Sequence, residues 1–204
     1  MANHLLINRT PLTAGKWGFG NLEVESSEHA TSWDDLRFPA TAINPPGQAS
    51  DPDVEASSGL LLFAASGTEL IYALAQMPHS WDEGSDISPH IHWTKTTSAS
   101  GDAAWNLKYK LFPVGAVGDS DWVDLGIVSS TVAGTPDGDT ANEHLITAWD
   151  DIDMTEQTLS CCIIFEISRL GGDASDTYGA DARLLEFDIH YQVDSFGSEQ
   201  EFSK

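Results

Sequence analysis

Basic side chains are scarce. The 204 residues hold 9 Lys and Arg against 32 Asp and Glu, a formal net charge of -23. A field of that sign repels nucleic-acid phosphates and anionic membranes, so neither is an expected partner. It suits a solvated acidic surface, a basic partner or divalent cations. Cysteine is nearly absent: Cys161 and Cys162 stand alone. Neighbours on a strand point to opposite faces, and a bridge between them needs strained geometry. Both are expected reduced, in a chain made in a cytoplasm. No run approaches the ~20 apolar residues of a membrane helix, and residues 1–15 lack the basic-then-apolar order of a secretory signal. Gly-x-Ser-x-Gly, a glycine-rich phosphate loop with lysine, and Cys-x-x-Cys are all missing. Nucleophilic, nucleotide-dependent and zinc-ribbon chemistry therefore has no anchor. There is no internal repeat and no convincing amphipathic helix.

What the chain does hold is apolar mass with a strand period. The 41% hydrophobic content, with 7 Trp and 8 Phe, suffices for one core. Residues 1–58 show neither period and carry five prolines. Their isolated anchors Trp17, Phe19, Trp33, Leu36 and Phe38 suggest an extended arm, docked through residues 33–39 and ending in a linker over 44–58. From residue 59 the pattern changes. Apolar runs at 60–64 and 69–76 flank a turn, read as a hairpin. Strands are predicted at 90–96, 104–112, 121–129, 143–149, 158–167 and 183–193. Trp105, Leu107, Tyr109 and Leu111 alternate with polar residues, the mark of a half-buried strand. The run from Cys161 to Phe165 marks a central one. About eight strands with turn-rich connections predict an all-β, antiparallel, jelly-roll-like sandwich over 59–204, preceded by the irregular N-terminal arm.

The connection from Met77 to Trp93 is the densest in unusual residues, and Pro78 and Pro89 argue against a central strand there. Residues 82–86 read as an exposed loop, bracketed by Trp81 and Trp93. Within it, His90-Ile91-His92 puts two imidazoles on one strand face, a spacing able to converge on a metal ion. Gly84, His90 and His92 resemble the first cupin motif, but the glutamate expected next is replaced by Trp93-Thr94-Lys95, and no second motif surrounds His144 or His190. His90, His92 and His190 are thus the metal candidates of a chain for which no metal and no cofactor is expected. His79 could join them at an interface. Asp137, Asp139, Asp150, Asp151, Asp153, Asp173 and Asp176 offer carboxylates for calcium without the order of an EF-hand loop.

Four stretches carry a family resemblance: Trp33-Asp34-Asp35-Leu36-Arg37, residues 77–84 (MPHSWDEG), Pro89-His90-Ile91-His92-Trp93, and residues 186–198 (EFDIHYQVDSFGS). In that order they resemble virion-associated structural proteins of tailed bacteriophages. The resemblance implies a non-enzymatic particle component, first of all a capsid cement or decoration protein located in the virion. A homo-oligomer, with three copies as the working number, in contact with the major capsid protein or other virion proteins is the expectation. Trp17, Phe19, Trp33, Leu36, Phe38, His79, Trp81, His90 and His92 are its expected interface residues. The alternatives are a neck, tail or fibre component, a glycan-binding jelly-roll module, or a degenerate cupin-like metalloprotein.

Overall fold

A computed structural model describes residues 32–132, 140–198, 200, 201 and 203. The compact unit runs from Ser32 to Lys204. Among the described residues ten strands form: β1 (Ser32–Pro39), β2 (Asp53–Val54), β3 (Leu61–Phe63), β4 (Thr68–Gln76), β5 (Ile87–Lys95), β6 (Trp105–Phe112), β7 (Val123–Val128), β8 (His144–Ala148), β9 (Cys162–Leu170) and β10 (Ala182–Val193). Sheet A runs β2-β3-β10-β5-β8, with β1 also paired to β10; sheet B runs β4-β9-β6-β7. Every pairing is antiparallel.

The wiring is nested. β3 pairs with β10, β4 with β9, β5 with β8 and β6 with β7, and successive strands from β3 to β6 alternate between the sheets. That is a long hairpin rolled into two layers, the jelly roll. All eight predicted strands are present. The difference lies at the turn over 64–67: β3 and β4 belong to different sheets, so these residues carry the chain across the sandwich and do not close a hairpin. Gly67 makes the reversal at a φ of 77°, where a side chain would be strained.

Aromatic rings from both sheets meet in the core. Phe63 of β3 and Trp93 of β5 contact Trp105 of β6 at centroid distances of 5.0 and 5.9 Å, and Phe165 of β9 meets Phe187 of β10 at 5.0 Å. Burial of each such side chain contributes about 1.5–3 kcal/mol.

Two expectations need correction. The sequence pattern starts the sandwich at residue 59, yet residues 32–39 form β1 and pair in register with β10 from Ser32↔Val193 to Pro39↔Glu186. Leu36 and Phe38 pack on the core, Phe38 stacking on Phe187 at 5.7 Å. These anchors therefore belong to the sandwich itself. Pro89, in turn, sits inside interior strand β5. Its carbonyl accepts from Trp149 N–H just past the end of β8. The ring nitrogen faces that same side, so the one bond forgone is the reciprocal one to the Trp149 carbonyl, at the end of the ladder.

One corner holds a buried cation. Arg169 of β9 is fully buried and grips Asp176 through Nε and Nη2 at 2.8 and 2.9 Å. Its remaining N–H groups donate to the carbonyls of Phe63, Ala180 and Tyr178 at 2.8, 2.8 and 2.6 Å. All five guanidinium donors are used. Asp176 also accepts from Ala104 N–H.

Candidate functional site

β5 and β10 each send alternate residues inward. Ile87, Ile91 and Trp93 enter the core from β5, and Phe187, Ile189 and Tyr191 from β10. The period of two then sends His90 and His92, with Glu186, Asp188 and His190, to the outer face of sheet A. Register opposes His90 to Asp188 and His92 to Glu186. On the other side of β10, β1 sets Asp35 beside His190 and Arg37 beside Asp188. From β8, His144 reaches the same face.

The result is a packed polar cluster. Asp188 lies 2.5 Å from His90 Nε2 through Oδ1 and 3.3 Å from His92 Nε2 through Oδ2. His90 Nδ1 stands 3.4 Å from the Ser88 carbonyl. His92 Nδ1 meets His144 Nε2 at 2.7 Å, and His190 Nε2 meets Asp35 Oδ1 at 3.1 Å. The His90 ring is 4.3 Å from that of His190 and 5.0 Å from that of His92. Arg37 forks onto Glu186 from β1.

Burial is unequal. His90 and Asp188 retain only 5% and 3% of their exposure, although they sit on the outer face. Burial alone would depress the His90 pKa, but the Asp188 carboxylate 2.5 Å away outweighs it and raises it. Burial would likewise lift Asp188; His90 and His92 instead hold it well below the usual carboxylate range. Even so, Asp188 Oδ1 has no partner in hydrogen-bond geometry, so its approach to His90 is a charge contact without aligned donation. Two donor trios lie within 4.8 Å: His90, Asp188 and His190; and His92, Glu186 and Asp188. Either could hold a cation.

The other expected site residues fall elsewhere. Trp17 and Phe19 lie outside the described residues. Trp33 is half exposed on β1. His79 is part-buried, 2.6 Å from Ser198 Oγ. Trp81 is a correction. Expected at an interface, it is fully buried in the core, bridges Val193 and donates through Nε1 to the Ser85 carbonyl. An indole in a polar, proline-flanked stretch caps the end of the sandwich. His90 is likewise closed off from any partner, while His92 is half-buried.

Of the proposed calcium carboxylates, Asp137 and Asp139 lie outside the described residues. Asp151 accepts from Ser88, Asp153 from Thr155 N–H, Asp173 from Ser175, and Asp176 from Arg169. Those bonds close loops. Both cysteines are free thiols.

Sheet B has a groove that the sequence did not disclose. It lies open on the outer face, about 630 Å³ in volume, across β9 and β6. Asn106, Ser168, Lys108 and Glu166 are among its lining residues. Asn106 is buried, and its Oδ1 has no hydrogen-bond partner. Lys108 pairs with Glu166 at 3.0 Å, and Tyr72 and Trp122 stack nearby at 6.1 Å.

No protein-family model and no curated protein matches the chain. Solved structures similar to it include the CBM35 module of Abf62 from Cellvibrio japonicus, at 10% identity and a TM-score of 0.38, covering 79% of this chain and 99% of that one. A second is CBM27-1 of Caldicellulosiruptor saccharolyticus in complex with mannohexaose, at 10% identity and a TM-score of 0.37, covering 76% and 96%. Likeness at this level extends to neither ligand nor site.

Proposed function

We propose that this chain is a non-enzymatic structural component of a tailed-phage particle, in the first instance a capsid cement or decoration protein. One observation supports the reading: the four stretches that carry the resemblance, far apart in sequence, converge on one patch. β1, β10 and β5 lie side by side through residues 33–37, 186–193 and 89–93. The 77–84 stretch closes on the end of β10, where Asp82 N–H donates to the Gln192 carbonyl at 2.8 Å and His79 meets Ser198. Their outward side chains, among them Trp33, Asp35, Arg37 and His190, lie on one face of sheet A, as a contact face requires. Trp33, half exposed on β1 beside that patch, is its aromatic anchor.

The test is sedimentation. Particles from lysates expressing the chain are fractionated on a density gradient, then separated into heads and tails and probed for it. Recovery with heads supports the cement reading, and recovery with tails moves it to the neck, tail or fibre. A chain that stays at the top of the gradient while intact particles sediment without it overturns both. A cut before Ser32 retains β1 and should leave thermal unfolding unchanged, whereas a cut at residue 50 removes β1 and should lower it. Loss of attachment in the shorter deletion would assign the tether to residues 1–31.

The sheet B groove favours a second reading, a glycan-binding module. An unpartnered amide oxygen beside a carboxylate, an ammonium and two aromatic rings matches the hydroxyls and apolar faces of a sugar. Soluble oligosaccharides that shift tryptophan fluorescence in the parent, but not in Asn106→Leu, would support it.

A further inference from the structure

We propose that His90, Asp188 and His190 bind one divalent transition-metal ion, zinc or a close analogue, on the outer face of sheet A. This inference stands apart from the particle reading. The three donors come from two adjacent strands and already lie within 4.8 Å of one another. Ligands about 2.1 Å from a tetrahedral zinc sit about 3.4 Å apart. His90 and Asp188 are held by burial, and His190, with its side chain 46% exposed, is free to close the remaining distance.

The outer bonds set the donor nitrogens. Nδ1–H of His90 donates to the Ser88 carbonyl, which leaves Nε2 facing Asp188. His190 Nε2 stands 3.1 Å from Asp35 Oδ1, and a proton held there leaves Nδ1 with the lone pair. An imidazole oriented by a carbonyl or carboxylate on its second nitrogen is the usual environment of a metal-bound histidine. Asp188 supplies the independent sign of a ligand: a carboxylate 97% buried whose Oδ1 lacks an aligned donor and points into the cluster. An ion entering there replaces any proton on His90 Nε2, which leaves to solvent.

Charge and softness name the class. Three carboxylates, Asp35, Glu186 and Asp188, face one guanidinium, Arg37, so the neighbourhood is net anionic. Two imidazoles and one carboxylate suit zinc, cobalt, nickel or ferrous iron, and not calcium or magnesium, which take oxygen donors. The carboxylate that the sequence lacked after His92 is supplied across the sheet, from β10.

The experiment uses the full chain, stripped with chelator and titrated with Zn2+ by calorimetry and with Co2+ by visible absorption. One ion per chain is expected, and Co2+ should show d–d bands. His190→Gln, at a half-exposed position, should fold normally and weaken binding by more than about tenfold. His92→Gln should weaken binding less than His190→Gln does, since His92 touches Asp188 from outside the trio and belongs to the rival one. Asp188→Asn should abolish binding, with circular dichroism to check its fold. The proposal is overturned if the parent binds no zinc, if His190→Gln binds as the parent does, if His92→Gln alone abolishes binding, or if Ca2+ binds as tightly as Zn2+.

Discussion

Arg169 and Asp188 are both buried charges, and they are solved in different ways. Arg169 has a bidentate carboxylate and three carbonyls, one acceptor for every N–H. Asp188 has imidazoles on two sides, one charge contact without alignment, and an oxygen still lacking a donor. A saturated network locks a corner and has room for nothing else. An under-saturated one keeps a coordination direction open, which is a property of a binding site. Burial alone does not separate the two; the count of satisfied donors and acceptors does.

The largest effect is expected at the saturated pole. Arg169→Met leaves Asp176 buried with Ala104 N–H as its remaining partner, and strips three carbonyls of their donor. A loss of about 3–5 kcal/mol is expected in denaturant unfolding. The double variant Arg169→Met with Asp176→Leu should not recover it, because the carbonyls of Phe63, Ala180 and Tyr178 stay orphaned. Full recovery would mean that the corner is a simple pair and that the contrast with Asp188 is misdrawn.

Zinc is expected to act next, and only at the other pole. Free Zn2+ at 100 times its dissociation constant should stabilise the parent by about 2.7 kcal/mol. Chelator should reverse the gain, and His190→Gln should show little of it at the same concentration. Equal stabilisation of parent and variant, read by thermal unfolding, would place the ion elsewhere.

In metal-free protein, His90→Leu should cost about 2 kcal/mol by leaving Asp188 short of its main cation. Adding Asp188→Leu should recover most of it, since the pair is then replaced by apolar side chains of similar size. This is the reverse of the Arg169 outcome. A double variant no more stable than the single would show that Asp188 holds the patch together through His92 as well.

The eight strands of the roll were legible from local pattern, either a period of two, as in Trp105 to Leu111, or a short apolar run bounded by turns, as in Cys161 to Phe165, and neither needs a partner to be read. β1 was not. Of its residues only Leu36 and Phe38 pack inward, and Trp33 faces solvent, so the alternation is too short to register. The start of β5 was hidden by Pro89, tolerated because its nitrogen faces the end of a ladder. In the site, His90 and His92 were visible from spacing on one strand, and His190 only as a third metal candidate in the last strand. That Asp188 closes on His90 depends on the β5–β10 register, a long-range pairing to which no local pattern reports. Arg169 and Asn106 were silent for the same reason: each is a polar residue on a strand whose meaning is set by what lies across it.

The smallest effect should come from Arg37, and it isolates burial. Arg37 makes the same kind of fork as Arg169, with Nε and Nη2 on Glu186 at 2.8–3.1 Å. Its side chain is 62% exposed where that of Arg169 is wholly enclosed. Glu186 and the two neighbouring charges raise its pKa, the hydrogen bond to Glu186 first, but water and salt screen a pair in that position. Arg37→Gln should therefore leave the thermal midpoint unchanged within error. Its consequence should appear in binding. Arg37 lies in register with Asp188 and is the cation that opposes entry of another. Removing one positive charge at that distance should tighten zinc by about two- to fivefold at low ionic strength, and the gain should fade as salt rises. A midpoint that falls as far as in Arg169→Met would show that geometry, and not enclosure, sets the worth of these forks. Zinc affinity unmoved at low salt would place the ion away from Asp188.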